Sequence, residues 1–243
     1  MRLSGKTCVI TGGGSGIGQA IAWCFAREGC QVAVAGRDEA KLRATAGAYT
    51  GQPPILTHRA DVANRGDVER LFAWADDQLG HIDILVSNAG INVARRSMAE
   101  LAPEDWDCLL AVNATGAFNC LQAVLPRMRA QRDGLVIHIS SIAGKRAGSL
   151  GGVAYNASKF AMTALATTAA VEECKNGIRV TTIFPGEVDT PILVHRPVPV
   201  TEEHRAKILK PEDVAAAALM IACLPPRAHV PELVIKPTVQ EYV

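Results

Sequence analysis

Short apolar runs alternate along this chain with longer stretches in which apolar positions recur at helical spacing. The short runs, such as those at positions 8–10 and 84–86, lack polar alternation, which is typical of strands covered on both faces. They predict seven strands, at positions 7–11, 31–35, 55–59, 84–87, 135–139, 179–183 and 232–235. The longer stretches predict seven helices, at positions 16–27, 39–48, 65–79, 103–111, 116–130, 154–175 and 211–222.

Strand–helix alternation of this kind indicates a doubly wound α/β fold, because parallel strands are joined by right-handed helical crossovers. The 243 residues contain no internal repeat, low-complexity tract or long linker, so we expect a single domain, 1–243, with a seven-stranded parallel sheet of Rossmann type. Positions 186–210 interrupt the pattern with three prolines and mixed charges. They follow a predicted strand end, where open α/β sheets bind ligands, so we favour a substrate-covering loop over a plain surface excursion.

The first predicted strand leads directly into a glycine-rich turn and then into a helix. Glycine lets a phosphate approach the main chain closely, and a helix N-terminus offers free N–H groups to it. The strict G-x-G-x-x-G spacing is absent, and a tight strand–helix corner is the structural alternative. Its position after the first strand of a βαβ unit favours a pyrophosphate site. The turn consists of Thr11, Gly12, Gly13, Gly14, Ser15, Gly16, Ile17 and Gly18.

Two neighbouring residues bear on the choice of nicotinamide cofactor. Asp38 lies about 20 residues beyond the glycines, where an acid would bind the ribose 2′-hydroxyl of NAD. The second strand, however, ends near Gly36, and Asp38 is well placed to cap the next helix. Arg37 follows the strand end directly, and a guanidinium pairs well with a 2′-phosphate. We therefore predict NADP(H), with NAD(H) as the alternative.

Tyr155 and Lys159 are four residues apart in a helical pattern, so both side chains share one face. A lysine ammonium beside a phenol lowers the tyrosine pKa, which suits a general acid or base for carbonyl and alcohol chemistry. A chance helix pair is the alternative. Upstream, a strand ends in Ser140 and Ser141, either of which can hydrogen-bond a developing alkoxide, although serine is also common in turns. We interpret His138, within that strand, as a packed or edge histidine rather than a catalyst.

Composition narrows the class of protein. The 25 basic and 24 acidic residues give a formal net charge of +1, which argues against a protein that mainly binds nucleic acid or an anionic membrane. The N-terminus enters a strand at once, so we expect no signal sequence. Seven scattered cysteines without a C-x-x-C pair favour buried thiols in a reducing, cytoplasmic compartment, and no metal site is predicted.

Four basic residues flank the predicted site: Arg95, Arg96, Lys145 and Arg146. If they line the mouth of a pocket, they favour an anionic or carrier-linked acyl substrate. Solvated surface side chains are the more common case for arginine and lysine, and we favour that interpretation.

Taken together, the motifs resemble the short-chain dehydrogenase/reductase family, in its shorter single-domain branch, over essentially the whole chain. The matching segments are Thr11-Gly12-x-x-x-Gly16-Ile17-Gly18, Asp61-Val62, Asn88-Ala89-Gly90, Asn113, Ile139-Ser140-Ser141, Tyr155-x-x-x-Lys159 and Pro185-Gly186-x-Val188-x-Thr190-Pro191. One departure concerns Ser141, which stands fourteen residues before Tyr155, one more than is usual in the family. That spacing leaves open whether Ser140 or Ser141 faces the substrate.

The resemblance implies a catalytic set. Tyr155 would donate or accept the proton, and Ser141 would steady the substrate oxygen. Lys159 would bind the nicotinamide ribose and lower the tyrosine pKa, while Asn113 would hold a water that links Lys159 to solvent.

The resemblance also implies a cofactor-binding set. Asp61 would contact the adenine, the segment from Asn88 would pass the adenosine, and Thr190 would lie near the carboxamide. The full set is Gly12, Ser15, Gly16, Ile17, Gly18, Arg37, Asp61, Val62, Asn88, Ala89, Gly90, Tyr155, Lys159, Pro185, Gly186, Val188 and Thr190.

The implied function is reversible hydride transfer between NADP(H) and a small-molecule carbonyl/alcohol pair. The alternatives are an NAD-dependent alcohol or polyol dehydrogenase of the same family and a cofactor-binding regulator without catalysis. Family resemblance further implies a homotetramer, and we expect neither a nucleic acid nor a membrane as partner.

Overall fold

One parallel sheet of seven strands organises the computed structural model, which describes residues 1–241. The strands are β1 (Thr7–Thr11), β2 (Gln31–Gly36), β3 (Leu56–Arg59), β4 (Ile84–Ser87), β5 (Gly134–Ile139), β6 (Ile178–Pro185) and β7 (Glu232–Ile235). Their order is β3-β2-β1-β4-β5-β6-β7, and each neighbouring pair is parallel. The direction of winding reverses between β1 and β4, so a ligand crevice is expected at the carboxyl ends of these strands. The predicted fold class is confirmed.

The helices match the predicted segments within a few residues. They are α1 (Gly16–Arg27), α2 (Glu39–Gly47), α3 (Arg65–Leu79), α4 (Pro103–Leu110), α5 (Gly116–Gln131), α6 (Val153–Glu173), α7 (Glu202–Arg205) and α8 (Pro211–Ala222). Short 3₁₀ turns occur at Ile142–Gly144, Cys174–Asn176 and Pro191–His195. The single-turn helix α7 was not predicted.

Two apolar layers cover the sheet, which explains why its strands lack polar alternation. In β1, Cys8 and Ile10 face the layer that contains α1 and α8, whereas Val9 faces the layer that contains α3, α5 and α6. Both clusters consist of residues at most 8% exposed. Burial on both faces stabilises the central strands and leaves their carboxyl ends as the place where polar side chains gather.

Helices α4 and α5 are joined rather than separate. A π-helical turn at Ala111–Thr115 connects them into one 29-residue helix from Pro103 to Gln131. By length and composition this helix could cross a membrane, but half of its most apolar window is buried inside the fold. Its apolar character therefore agrees with packing against α3, α6 and the sheet.

Positions 186–210, here called the covering segment, are held by ion pairs and a short parallel bridge between Val188 and Leu209. The Asp189 carboxylate pairs with Arg205 and, at 2.9 Å, with Lys210. Glu187 pairs with His204 at 2.6 Å and with Arg196 at 3.2 Å. The segment is thus an ordered excursion from β6 that returns to α8.

Candidate active site

The turn between β1 and α1 forms a cradle that requires glycine at three positions, Gly12, Gly16 and Gly18. Gly12 and Gly16 adopt φ angles of +66° and +55°, in the left-handed region. A Cβ added at Gly18 would lie 2.4 Å from the Gly12 carbonyl oxygen and 2.5 Å from Asn88 Nδ2. Ser15 is the N-cap residue of α1, yet its hydroxyl makes no capping hydrogen bond. A close-packed glycine turn beside a helix N-terminus fits the pyrophosphate of a dinucleotide.

Asn88 fixes this cradle to the end of β4. Its Nδ2 donates to the carbonyl oxygens of Thr11 at 3.0 Å and Gly12 at 3.1 Å. The Ala89 N–H donates to Thr11 Oγ1 at 3.2 Å, and Ile17 packs against the core beside the turn. The Asn88 amide therefore braces the turn.

At the end of β2, the two residues that bear on cofactor choice make different contacts. Gly36 is the last residue of the strand. The Asp38 carboxylate accepts a hydrogen bond from the Lys41 N–H at 3.1 Å and caps α2, as predicted. Arg37 is exposed and makes no hydrogen bond or ion pair within residues 1–241. Lys41 also lies beside the cradle, since a Cβ on Gly14 would approach its Cβ to 3.0 Å.

The loop after β3 carries Asp61 and Val62 at the same edge of the sheet. Asp61 Oδ1 accepts from the Ala63 N–H at 3.0 Å, so this carboxylate orders its own turn. The Asp61 N–H donates to Asp67 Oδ2 at 2.9 Å. Val62 is buried, and a Cβ on Gly116 would come within 2.6 Å of its Cγ2. The position of Asp61 leaves its second carboxylate oxygen without a partner in residues 1–241.

Ser141, Tyr155 and Lys159 meet beside the carboxyl end of β5. The Ser141 hydroxyl lies beside the Tyr155 phenol and acts to lower the pKa of that phenol, and it accepts from the Ala143 N–H at 3.1 Å. Lys159 Nζ lies 5.7 Å from the centroid of the Tyr155 ring, one helical turn away on α6. Gly90 closes this side, since a Cβ there would be 3.6 Å from Lys159 Nζ.

The geometry distinguishes the two serines. Ser140 is 5% exposed, and its hydroxyl faces α6, where it donates to the Lys159 carbonyl oxygen at 3.5 Å. Of the two serines, only Ser141 has its hydroxyl beside the Tyr155 phenol. Turns and irregular backbone at positions 145–152 join the 3₁₀ segment Ile142–Gly144 to α6, which carries Tyr155.

Lys159 is a buried cation. It is 3% exposed, and its Nζ donates to the Ile139 carbonyl oxygen at 2.9 Å. Burial lowers its pKa to about 8. Because of this lowered pKa, the ammonium can release a proton close to neutral pH.

One electrostatic expectation is corrected. The sequence predicts that Lys159 lowers the pKa of the Tyr155 phenol, whereas in the structure burial raises that pKa. The groups that act in the opposite direction are the Ser141 hydroxyl and the charge of Arg96. The Lys159 ammonium is directed at a backbone carbonyl instead of the phenol oxygen, which explains the difference.

Asn113 lies in the π-helical turn and is fully buried. Its Oδ1 accepts from the Ile91 N–H at 2.8 Å, and its Nδ2 donates to the Ile91 carbonyl oxygen and to Ser158 Oγ, both at 3.0 Å. The side chain therefore anchors the irregular segment that follows Gly90 to α6. A π turn also departs from the regular helical hydrogen-bond ladder, a feature often found at functional sites.

His138 lies on β5 below the site and is fully buried. Neither ring nitrogen has a hydrogen-bond partner within residues 1–241. Burial, together with the Lys159 charge, lowers its pKa to about 4. The ring is thus a neutral packed group at neutral pH, in agreement with the interpretation from the sequence.

The covering segment begins at the cradle. Pro185 ends β6, and the Gly186 N–H donates to the Ile235 carbonyl oxygen at 2.7 Å. Thr190 Cγ2 would lie 3.1 Å from a Cβ on Gly16, so this threonine covers the glycine turn, and Val188 is buried behind it. The structure thus brings the predicted cofactor residues of this segment to the same edge as the catalytic set.

Two residues at this edge were missed or misjudged from the sequence. Gln240 Oε1 accepts from the Glu187 N–H at 3.0 Å and ties the C-terminal segment to the covering segment. Arg96 is 7% exposed rather than solvated, and it bridges two loops around Tyr155. No local sequence pattern distinguishes Arg96 from its exposed neighbour Arg95.

Lys145, by contrast, does not line the site as a free cation. Its ammonium pairs with Glu232 and lies 4.6 Å from the centroid of the Phe184 ring. The charge of Arg96, in contrast, acts on the Tyr155 phenol.

Comparisons with known proteins agree with this arrangement. The family model of the short chain dehydrogenases matches residues 6–197. An uncharacterized oxidoreductase of Staphylococcus aureus (strain USA300) is 34% identical over 236 residues, which cover 97% of this chain and 98% of that protein.

Two solved structures are also similar. An alcohol dehydrogenase of Thermococcus sibiricus complexed with 5-hydroxy-NADP has a TM-score of 0.88 at 29% identity, covering 98% of this chain and 99% of that one. A 3-ketoacyl-(acyl-carrier-protein) reductase of Brucella melitensis complexed with NADH has a TM-score of 0.87 at 29% identity, covering 96% and 98%. The family match spans most of the chain and includes the glycine cradle and the Ser–Tyr–Lys cluster. This chain belongs to the short-chain dehydrogenase/reductase family, oxidoreductases that act on alcohol/carbonyl pairs with a nicotinamide dinucleotide.

Proposed function

We propose that this protein reversibly reduces a small-molecule carbonyl compound with NADP(H) and that Tyr155 is the general acid and base. The observation that carries this proposal is the contact between the Ser141 hydroxyl and the Tyr155 phenol, one helical turn from the buried Lys159 and at the same edge as the glycine cradle. A nicotinamide dinucleotide, when bound, supplies the hydride. The protein supplies placement, charge and the proton.

Each side chain of the cluster has a distinct task. Tyr155 donates its phenolic proton to the carbonyl oxygen during reduction and accepts a proton from the alcohol during oxidation. Ser141 donates a hydrogen bond to the same oxygen as negative charge develops on it. The buried Asn113 holds α6 in position through Ser158, and Lys159, whose pKa of about 8 lies close to neutral pH, supplies a proton to the relay that reprotonates Tyr155.

NADP(H) is favoured over NAD(H) by the end of β2. Arg37 is exposed and unpaired within residues 1–241, near the expected position of the adenosine ribose, and Lys41, whose ammonium lies 3.6 Å from the Asp38 carboxylate, packs beside the cradle. Asp38, which would bind a 2′-hydroxyl, is engaged as the cap of α2. A charged hydrogen bond contributes roughly 1.5–3 kcal/mol, a factor of about 10–150.

The function is tested by following NADPH and NADH consumption against a panel of ketones, aldehydes, sugars and oxo esters. We expect turnover with at least one carbonyl and a higher kcat/KM for NADPH. Arg37→Ala should lower the NADPH/NADH preference by about tenfold or more. Arg43→Ala, which removes an exposed guanidinium paired with Glu39 on the same helix, is the matched control and should leave the preference unchanged. Equal use of both cofactors by the unmodified protein would refute the NADP(H) assignment.

The proposal extends to the covering segment, the assembly and the cellular location. The covering segment closes over the substrate, because it joins the cradle at Thr190 and contacts Arg96 through the His195 carbonyl oxygen. We propose a homotetramer located in the cytoplasm, with no nucleic acid or membrane as partner. Light scattering of the purified protein tests the assembly, and a monomeric mass would contradict it.

A further inference from the structure

Arg96 is the buried cation of the candidate active site that the proposed reaction does not use. It lies in the segment that follows β4 and is 7% exposed. Its Nη1 donates to the Leu150 carbonyl oxygen at 3.0 Å, and its Nη2 donates to the His195 carbonyl oxygen in the covering segment. The backbone fits tightly here, because a Cβ on Gly152 would lie 2.5 Å from Arg96 Cβ.

These contacts leave the charge of Arg96 unbalanced. No carboxylate pairs with it within residues 1–241, and its Nε is buried without a hydrogen-bond partner. Two of its five N–H groups donate to carbonyl oxygens, so three donors remain. A buried guanidinium is strongly destabilising unless an anion accompanies it. Burial lowers the pKa of Arg96, and the charge of Arg196, which pairs with Glu187, lowers it further, whereas Tyr155 acts in the opposite direction.

Arg96 lies next to Tyr155 and not at the pyrophosphate cradle. The turn that it holds, from Leu150 to Gly152, leads directly into α6 and Tyr155. Its charge acts on the Tyr155 phenol. The pyrophosphate cradle lies elsewhere, at the N-terminus of α1, and is built from backbone N–H groups. Arg96 therefore lies beside Tyr155 and the covering segment, the region in which the reacting carbonyl is expected.

We propose that Arg96 binds the carboxylate of an oxo- or hydroxycarboxylic acid, with the carbonyl or alcohol of that acid held by Ser141 and Tyr155. A guanidinium fork matches the planar geometry of a carboxylate, and the remaining donors suffice for a bidentate contact. The inference rests on the function proposed above, because it names the substrate class of the same site. The contact with His195 means that the covering segment closes over the acid end of the substrate.

The test compares each acid with its neutral methyl ester: acetoacetate with methyl acetoacetate, and levulinate with methyl levulinate. We expect kcat/KM with the preferred reduced cofactor to be at least tenfold higher for one acid than for its ester. Arg96→Gln should remove that difference, because kcat/KM for the acid should fall at least tenfold more than kcat/KM for its ester, mainly through KM. Arg95→Gln, the exposed neighbour, is the matched control and should retain the preference. Arg96→Lys, which keeps the charge but not the fork, should retain part of it.

The outcomes separate this inference from the proposed function. Turnover of neutral ketones or of the esters at rates equal to or above those of the acids would overturn the carboxylate assignment and leave the oxidoreductase intact. Equal losses for acid and ester in Arg96→Gln would also overturn it, since they indicate a purely structural role. Failure of every carbonyl compound with both cofactors would instead refute the proposed function.

A measurement on the unmodified protein covers the case in which Arg96 variants do not fold. Butyrate should inhibit the reduction of a neutral ketone competitively, whereas butyramide and equal concentrations of chloride should not. Equal inhibition by butyrate and butyramide, or none by either, would overturn the inference.

Discussion

Lys159→Met should change how the stability of this protein depends on pH. In the folded protein, burial lowers the pKa of Lys159 from 10.5 to about 8, while the unfolded chain keeps the ordinary value. Below pH 8 both states are protonated, and the folded state carries the full cost of a buried ammonium, about 3 kcal/mol. Between pH 8 and pH 10.5 the unfolded chain binds more protons, so stability rises with pH in that window.

Urea unfolding of the unmodified protein and the Met variant at pH 7 and pH 9.5 measures this effect. The cost of the charge decreases by about 2 kcal/mol between these values, and Met has no such cost, so the stability of the unmodified protein should rise by that amount relative to the variant. Differences in hydrogen bonding, such as the lost bond to the Ile139 carbonyl oxygen, are the same at both pH values and cancel.

Lys175→Met is the control, because Lys175 is an exposed lysine just beyond the end of α6. We expect no comparable pH-dependent difference for it. A Lys159→Met stability difference that stays constant from pH 7 to pH 9.5, within about 0.5 kcal/mol, would refute the claim that burial of this charge sets its pKa.

Three shorter predictions concern neighbouring residues. Ser141→Ala should lower kcat/KM by roughly 10²–10³, because a hydrogen-bond donor to the substrate oxygen is lost. Ser140→Ala should change kcat/KM less than threefold. A larger loss in Ser140→Ala than in Ser141→Ala would contradict the assignment of Ser141 as that donor. Gly18→Ala places a Cβ 2.4 Å from the Gly12 carbonyl oxygen, so dinucleotide affinity measured by NADPH fluorescence should fall at least tenfold, and an unchanged affinity would contradict the cradle. Asn113→Ala leaves the Ile91 backbone groups without their partner and should lower unfolding free energy in urea by about 1–3 kcal/mol, whereas no change would contradict this bracing role.

The fold could be predicted from the sequence because each central strand is covered on both faces. A continuous apolar run such as the one at 84–86 is then a direct signal of burial, and helical spacing marks the crossovers. The junction at Ala111–Thr115 was not predicted, since a π turn between two helical patterns has no distinct periodicity. The prediction of two separate helices there was therefore incomplete.

The site was predicted less completely, because its electrostatics depend on loop positions. Asp38 as a helix cap was confirmed, since capping is a local property of the chain. The prediction that Lys159 lowers the pKa of the Tyr155 phenol was wrong. Helical spacing places the two side chains on one face but does not determine the direction of the ammonium. Arg96 was taken for a solvated side chain, and only the folded loops around Gly152 reveal its burial.

Steady-state turnover of Tyr155→Phe tests the central claim most directly. The substitution removes only the phenolic oxygen, so NADPH affinity should stay within about threefold of the unmodified protein while kcat falls by roughly 10²–10⁴, the usual contribution of general acid–base catalysis. A Tyr155→Phe protein that reduces the same carbonyl compound at the unmodified rate would contradict the assignment of Tyr155 as proton donor.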